Sequence, residues 1–232
     1  RVIANSRETS RTILQNNEKL LPRENIRSIY NGIDLKRLDN QNGKPIYPRK
    51  ESDKIIIGNA GRLSEEKGQN YLIDLAVLLK KKQYPFKILI AGTGKLRSRL
   101  QKYARSKGVE EEVIFLGFVD NMKSFNQSID IFALSSLYEG FGYVMVEAMA
   151  VEKPVVAFDI KSSAEILEDG VSGLLAKRGD VHDLFRKIEW LIDNPEKARE
   201  IGKNGRKRVE EMFSIETTQD SFEELLGEMN TV

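Results

Sequence analysis

Hydrophobic residues follow two alternating patterns along the chain. Continuous apolar runs occupy residues 54–58, 86–91, 113–119, 129–134 and 154–158, with a shorter one at 174–176. Runs this short and this uniformly apolar predict strands buried on both faces. Between them, apolar residues recur three and four apart: Leu72, Leu75, Ala76 and Leu79; Leu96, Leu100, Tyr103 and Ala104; Leu184, Ile188, Leu191 and Ile192. That spacing puts one apolar stripe on a helix. Gly108 stops the second of these helices. The third spans 181–193, and Trp190 on it is expected partly buried against the sheet. Pro195 suits the first position of a further helix. Shorter helices are predicted near 123–128 and 164–168, with Ser163 as cap of the latter, and a last one over 215–229. Strands alternating with helices predict an α/β fold with a doubly wound parallel sheet and right-handed crossovers.

The first fifty residues read differently. Arg1 to Ser6 looks like the end of a buried strand, so the chain is expected to be the later part of a longer protein. Ser6 is placed to cap a helix reaching Leu20, with Thr9, Ile13 and Leu14 facing inward and Pro22 ending it. Residues 26–30 form a short strand, and Asn31, Gly32, Ile33 and Asp34 a turn. Residues 35–53 are polar, carry Gly43, Pro45 and Pro48, and show no periodicity, as in an interdomain linker. The expected division is 1–34, tail of a preceding lobe; 35–53, linker; 54–214, the doubly wound domain; and 215–232, a C-terminal helix.

Composition narrows the chemistry. The 232 residues carry 37 basic and 35 acidic side chains, a net charge of +2, which gives no electrostatic case for nucleic acid. Cysteine is absent and His182 is the one histidine, so thiolate chemistry and a zinc cluster are excluded. No apolar run approaches the roughly 20 residues that span a bilayer, and no export signal is read.

The candidate chemistry centres on residues 139–147. Here an apolar strand passes through Glu139, Gly140, Phe141 and Gly142 into a helix of good helix formers. Glycines let the backbone turn sharply and approach a ligand. The first helical N–H groups, at Gly142, Tyr143 and Val144, lack partners in the helix and favour an anion. Glu139 and Glu147 frame the turn, and a carboxylate can accept two bonds from a vicinal diol. The bland reading makes Glu147 a solvated helix residue and Glu139 a loop charge. Arg62 and Lys67 stand at the end of an earlier strand, where a diphosphate would need cations. Taken alone, such a pair is more often surface charge paired with Glu65 or Glu66. Position shifts the balance: all the glycine-containing turns follow strands, and ligands of such sheets bind beyond the strands' carboxyl ends.

Taken in order, the motifs resemble a known family. They are Gly61-Arg62-Leu63, Glu66-Lys67-Gly68, Ala91-Gly92-Thr93-Gly94, Phe115-Leu116-Gly117-Phe118-Val119, and Glu139 and Glu147 with seven residues between them. Asn31 to Asp34, Glu147 to Ala150 and Pro154 to Val156 match as well. The chain looks like the donor-binding, C-terminal lobe of a GT-B glycosyltransferase of retaining family 4, which includes glycogen-synthase and mannosyltransferase relatives. The resemblance implies a Rossmann-like lobe that binds a nucleotide sugar, UDP-linked with GDP as the alternative. It implies transfer to an acceptor hydroxyl in polysaccharide, lipopolysaccharide or glycolipid synthesis. Arg62 and Lys67 would neutralise the diphosphate leaving group. Glu139 would bind hydroxyls of the transferred sugar and Glu147 the ribose. Backbone groups of Gly61, Gly92, Gly94, Phe141, Gly142, Tyr143 and Val144 would surround the donor, and Phe118 and Val119 would face the base. No metal or other cofactor is expected. The acceptor, glycan or glycolipid, would meet the preceding lobe, without which the chain is expected to be inactive. Location is expected to be cytoplasmic, with peripheral contact at the inner membrane face. The family often has Gly-Gly-x-Pro-Glu after the fifth strand; here Lys161, Ser162, Ser163 and Ala164 precede Glu165. A nucleotide-binding lobe without chemistry, in a regulatory or partner role, and a GT-B nucleotide-sugar epimerase remain as alternatives.

Overall fold

The computed structural model describes residues 2–17, 22–48 and 55–230. A small parallel pair opens the chain: β1 (Val2–Ala4), α1 (Arg7–Asn17) and β2 (Ile26–Ser28), with Val2 opposite Ile26. The Ser6 hydroxyl accepts the Thr9 N–H at 3.0 Å, so the expected cap is present. The expected continuation of α1 to Leu20 lies outside the described residues, as do Lys54 and residues 49–53 of the linker. The rest of that segment is not structureless. Asp34 accepts the Arg37 N–H and starts α2 (Leu35–Asn40), which buries Leu38.

Then the main sheet begins. Its elements are β3 (Ile55–Ala60), α3 (Gln69–Lys81), β4 (Phe86–Ala91), α4 (Arg97–Ser106), β5 (Val113–Gly117) and α5 (Met122–Gln127). These are followed by β6 (Ile131–Leu134), α6 (Tyr143–Met149), β7 (Val155–Phe158), α7 (Lys161–Ile166), β8 (Leu174–Ala176), α8 (Val181–Asp193), α9 (Pro195–Met212) and α10 (Ile215–Asn230). All strands are parallel, in the order β5-β4-β3-β6-β7-β8. The chain therefore moves outward from β3 to β5, then returns to place β6 on the other side of β3. The β3–β6 boundary is the switch point at which open α/β sheets bind ligands.

Neighbouring residues of each strand point to opposite faces. Ile57, Ile88, Ile90 and Ala133 join Leu72, Leu79, Leu100, Leu184 and Ile188 in one core. Ile56, Leu89, Phe132 and Leu134 join Phe125, Met145, Val146, Val209 and Phe213 in the other. This two-sided burial is why the strands read as uniform apolar runs.

Two helix expectations are corrected. α7 begins at Lys161 rather than near Ala164, and Ser163 lies inside it, fully buried, instead of capping it. Trp190 is 42% exposed, on the outer side of α8. The C-terminal segment laces back to the start of the chain: Ile33 N–H donates to Phe213, Ile215 N–H donates to Ile33, and the Thr218 hydroxyl donates to the Tyr30 carbonyl.

Candidate active site

The turns after β3, β4 and β5 are stitched together by backbone bonds. Gly61 N–H donates to Ala91 (2.9 Å), Leu63 N–H to Thr93 (2.9 Å) and Gly92 N–H to Gly117 (2.6 Å). Gly92 has φ +133°, and a Cβ there would collide with the Gly61 carbonyl. A Cβ on Gly94 would likewise meet the Leu63 backbone. These glycines let three strand ends close into one wall. Gly61, Arg62, Gly92, Phe118, Val119 and Val144 share a cavity of about 270 Å³ at that wall. Phe118 is 78% exposed on its rim. Arg62 is exposed, and its guanidinium makes no hydrogen bond or ion pair among the described residues. Its own carbonyl is pinned by the Gln69 side-chain amide at 2.9 Å.

Lys67 is in a different state. It closes the short 3₁₀ turn Glu65–Lys67 before Gly68, which is left-handed (φ +61°) and where a Cβ would also strike the Ser135 carbonyl. The Ser135 hydroxyl donates to the Lys67 carbonyl and Leu137 N–H to the Glu66 carbonyl, binding this turn to the end of β6. The Lys67 ammonium then meets Glu139 Oε1 at 2.5 Å, and the Ser136 hydroxyl donates to the same oxygen at 2.8 Å. Glu139 is buried at 8% exposure. The cation and the acid, assigned separate tasks from the sequence, form one ion pair. Glu139 also borders a second cavity of about 470 Å³, with Tyr138, Asp159, Lys161 and Arg178.

Phe141 sits in the core, its ring 6.1 Å from Tyr30 and 5.8 Å from Phe213, so only its backbone can reach a ligand. Gly142 has φ +94° and leads into α6. The Tyr143 hydroxyl donates to the Gly32 carbonyl at 3.1 Å, tying α6 to the turn from Asn31 to Asp34. Glu147 lies half-buried one turn into α6, outside both cavity linings. Burial pushes its carboxyl up to about 7. The periodic pattern gave no signal for Ser136, Gln69, Asp159 or Arg178. Ser136 was within reach of the sequence, being three residues before Glu139. Among the described residues no group of three His, Cys, Asp or Glu could hold a metal ion, and no helix is long and apolar enough to cross a membrane.

A doubly wound sheet with cations, acids and glycine turns gathered beyond its strand ends defines a class: one lobe of a GT-B glycosyltransferase. Residues 44–208 match the model of the family "Glycosyl transferases group 1", and the chain belongs to that family. It is 35% identical over 176 residues to the putative glycosyltransferase EpsD of Bacillus subtilis, covering 75% of this chain and 46% of that protein. It is 31% identical over 204 residues to CapM of Staphylococcus aureus, a capsular polysaccharide biosynthesis glycosyltransferase, covering 87% and 53%. The chain thus spans about half the length of these relatives. Among solved structures, HepE of Anabaena in complex with UDP and glucose superposes with TM-score 0.84 at 27% identity, over 97% of this chain and 62% of that one. S. aureus TarM, in complex with fondaparinux, alpha-GlcNAc-glycerol and UDP, gives 0.82 at 28%, over 97% and 43%.

Proposed function

We propose that the chain is the donor-binding lobe of a retaining glycosyltransferase that takes a sugar from a nucleoside diphosphate, UDP in the first instance, without a metal ion. The observation that carries this reading is the unpartnered Arg62 guanidinium on the cavity bounded by Gly61, Gly92, Phe118 and Val119. An available cation beside a base-sized slot suits a nucleoside diphosphate. UDP accompanies the HepE and TarM structures, which supports that base. As the glycosidic bond breaks, negative charge grows on the diphosphate. Arg62, with Lys67 once it exchanges Glu139 for phosphate, meets that charge where it develops. Glu139 Oε2 is left to accept sugar hydroxyls, and Glu147 accepts the ribose diol. Acceptor hydroxyls of a growing polysaccharide, lipopolysaccharide or glycolipid would be presented by a preceding lobe in the whole protein. A cytoplasmic position, peripheral to the membrane, fits that substrate supply.

Calorimetric titration with UDP, GDP and ADP, with and without EDTA, tests the reading. The expected result is micromolar binding of UDP, about −8 kcal/mol, unchanged by EDTA and weakened about tenfold to a hundredfold in Arg62→Ala. Binding that requires a divalent ion would remove the metal-free part. Equal affinity of Arg62→Ala and wild type would remove Arg62 from the site. Product analysis with the whole protein separates sugar transfer from epimerisation.

A further inference from the structure

The segment after β7 lacks the family's glycines but keeps Glu165. That side chain is not part of either cavity lining. Its two carboxylate oxygens accept the N–H groups of Arg7 (2.9 Å) and Glu8 (2.8 Å). These are the first residues of α1, whose N–H groups have no partners within the helix and where the helix dipole favours negative charge. One carboxylate therefore fixes where α1 starts. Lys161, from the same helix as Glu165, adds an ion pair to Glu8 at 3.1 Å. On its far side α7 is itself anchored: Arg208 donates to the carbonyls of Ile166 (2.6 Å) and Glu165 (3.1 Å).

The start of α1 is also where the chain touches the glycine turn. The buried Ser6 hydroxyl donates to the Gly140 carbonyl at 2.7 Å, and Thr9 Oγ1 lies 3.3 Å from the same oxygen. A second route runs through Tyr30. Its hydroxyl faces the Glu165 carboxylate; burial first, then that charge, pushes the phenol up from its ordinary value. Its ring packs on Phe141 and, edge-on at 5.3 Å, on Phe213. The two routes end on Gly140 and Phe141, directly after Glu139. The bonds from Ser6 and Thr9 to the Gly140 carbonyl tie this turn to the start of α1.

We propose that Glu165 is a positioning residue: by anchoring the start of α1 against α7, it sets the conformation of the turn from Glu139 to Gly142 from outside the ligand cavities. The consequence for binding rests on the donor reading above. Glu165 then serves the grip on the transferred sugar and not the grip on the nucleotide.

Amide hydrogen exchange of the free chain tests the anchor, comparing wild type, Glu165→Ala and Glu165→Gln. In Glu165→Ala, exchange across residues 139–145 rises about tenfold while α4 and β4 stay protected. Glu165→Gln, whose amide oxygen still accepts an N–H bond, recovers part of the protection. Unchanged exchange in Glu165→Ala, or a rise spread evenly over the chain, overturns the proposal. Titration with UDP and with the tightest of a panel of UDP-sugars tests the consequence. The preference for the sugar-linked form falls about fivefold, while UDP itself stays within about twofold. Equal loss of both ligands overturns the sugar-side role. If wild type bound neither ligand, the donor reading would fall, and the exchange comparison alone would still decide on Glu165.

Discussion

The two ends of the candidate cleft are built on one sheet edge but differ in how ready they are. At the β3–β5 end, glycine turns bonded to one another make a rigid wall, and Arg62 stands free beside it. At the β6 end, Lys67 is already paired with Glu139, whose Oε1 also accepts the Ser136 hydroxyl. The first end can take a phosphate without moving a partner away. The second must exchange a carboxylate for a phosphate, so part of the binding energy there is spent on breaking an ion pair. Two cations on one edge are therefore not equivalent: one supplies attraction, the other supplies a coupling between nucleotide and sugar.

The largest expected effect lies inside the pair. Glu139→Ala leaves Lys67, only a quarter exposed, without its counter-charge. Stability by urea denaturation should fall by about 3 kcal/mol. The same variant should bind UDP more tightly while losing UDP-sugar, because the ammonium is released towards the diphosphate. From the motif alone, bare diphosphate binding would stay unchanged. If stability and UDP affinity both stay at wild-type values, the coupling does not exist.

Glu147 gives an effect of similar size that depends on pH. Its folded carboxyl stands at about 7 against 4.5 in a solvated chain, so the folded form holds its proton longer. The contribution is full at low pH, declines as pH rises from about 4.5 to about 7, and is flat above. Up to about 3 kcal/mol is involved on the scale of 1.36 kcal/mol per pH unit. Glu147→Gln should remove that slope from a pH series of melting curves and be more stable than wild type at pH 8. A slope that survives the substitution would assign it elsewhere.

A smaller effect is expected at the free cation. Arg62→Ala should weaken UDP by about tenfold to a hundredfold, the worth of one charge-assisted contact. Its stability should stay within about 0.5 kcal/mol of wild type, since the exposed guanidinium makes no hydrogen bond or ion pair in the free chain. Smallest is the rim. Phe118→Ala removes an exposed ring and should cost UDP about fivefold through lost stacking, near the low end of the range for a base on an aromatic face. An effect at Phe118 exceeding that at Arg62 would reverse the order of the two.

Much of the fold was legible because burial on both faces leaves a plain trace. The run at residues 86–91 is β4 to the residue, and the stripe at 181–193 is α8 to the residue. α7 was displaced by three residues, since Ser163 looks like a cap until it is seen buried under tertiary contacts. α2 was hidden because it carries two apolar residues, Leu35 and Leu38, in a segment that is otherwise polar. The candidate site was legible as an inventory: Arg62, Lys67, Glu139 and the glycines do gather at one edge, while Glu147 stands apart from the cavity linings.

What the chain determined by itself is the alternation of strand and helix, the glycines that the turns require, and the family those motifs mark. The pairing of side chains emerges with the packed sheet. Lys67 and Glu139 are 72 residues apart, and Glu165 is 158 from the N–H it accepts at Arg7. No local pattern encodes such contacts. Periodicity reports the solvent exposure of a single element, whereas an ion pair depends on where the crossovers carry two elements, and that is fixed by the packing of the whole sheet.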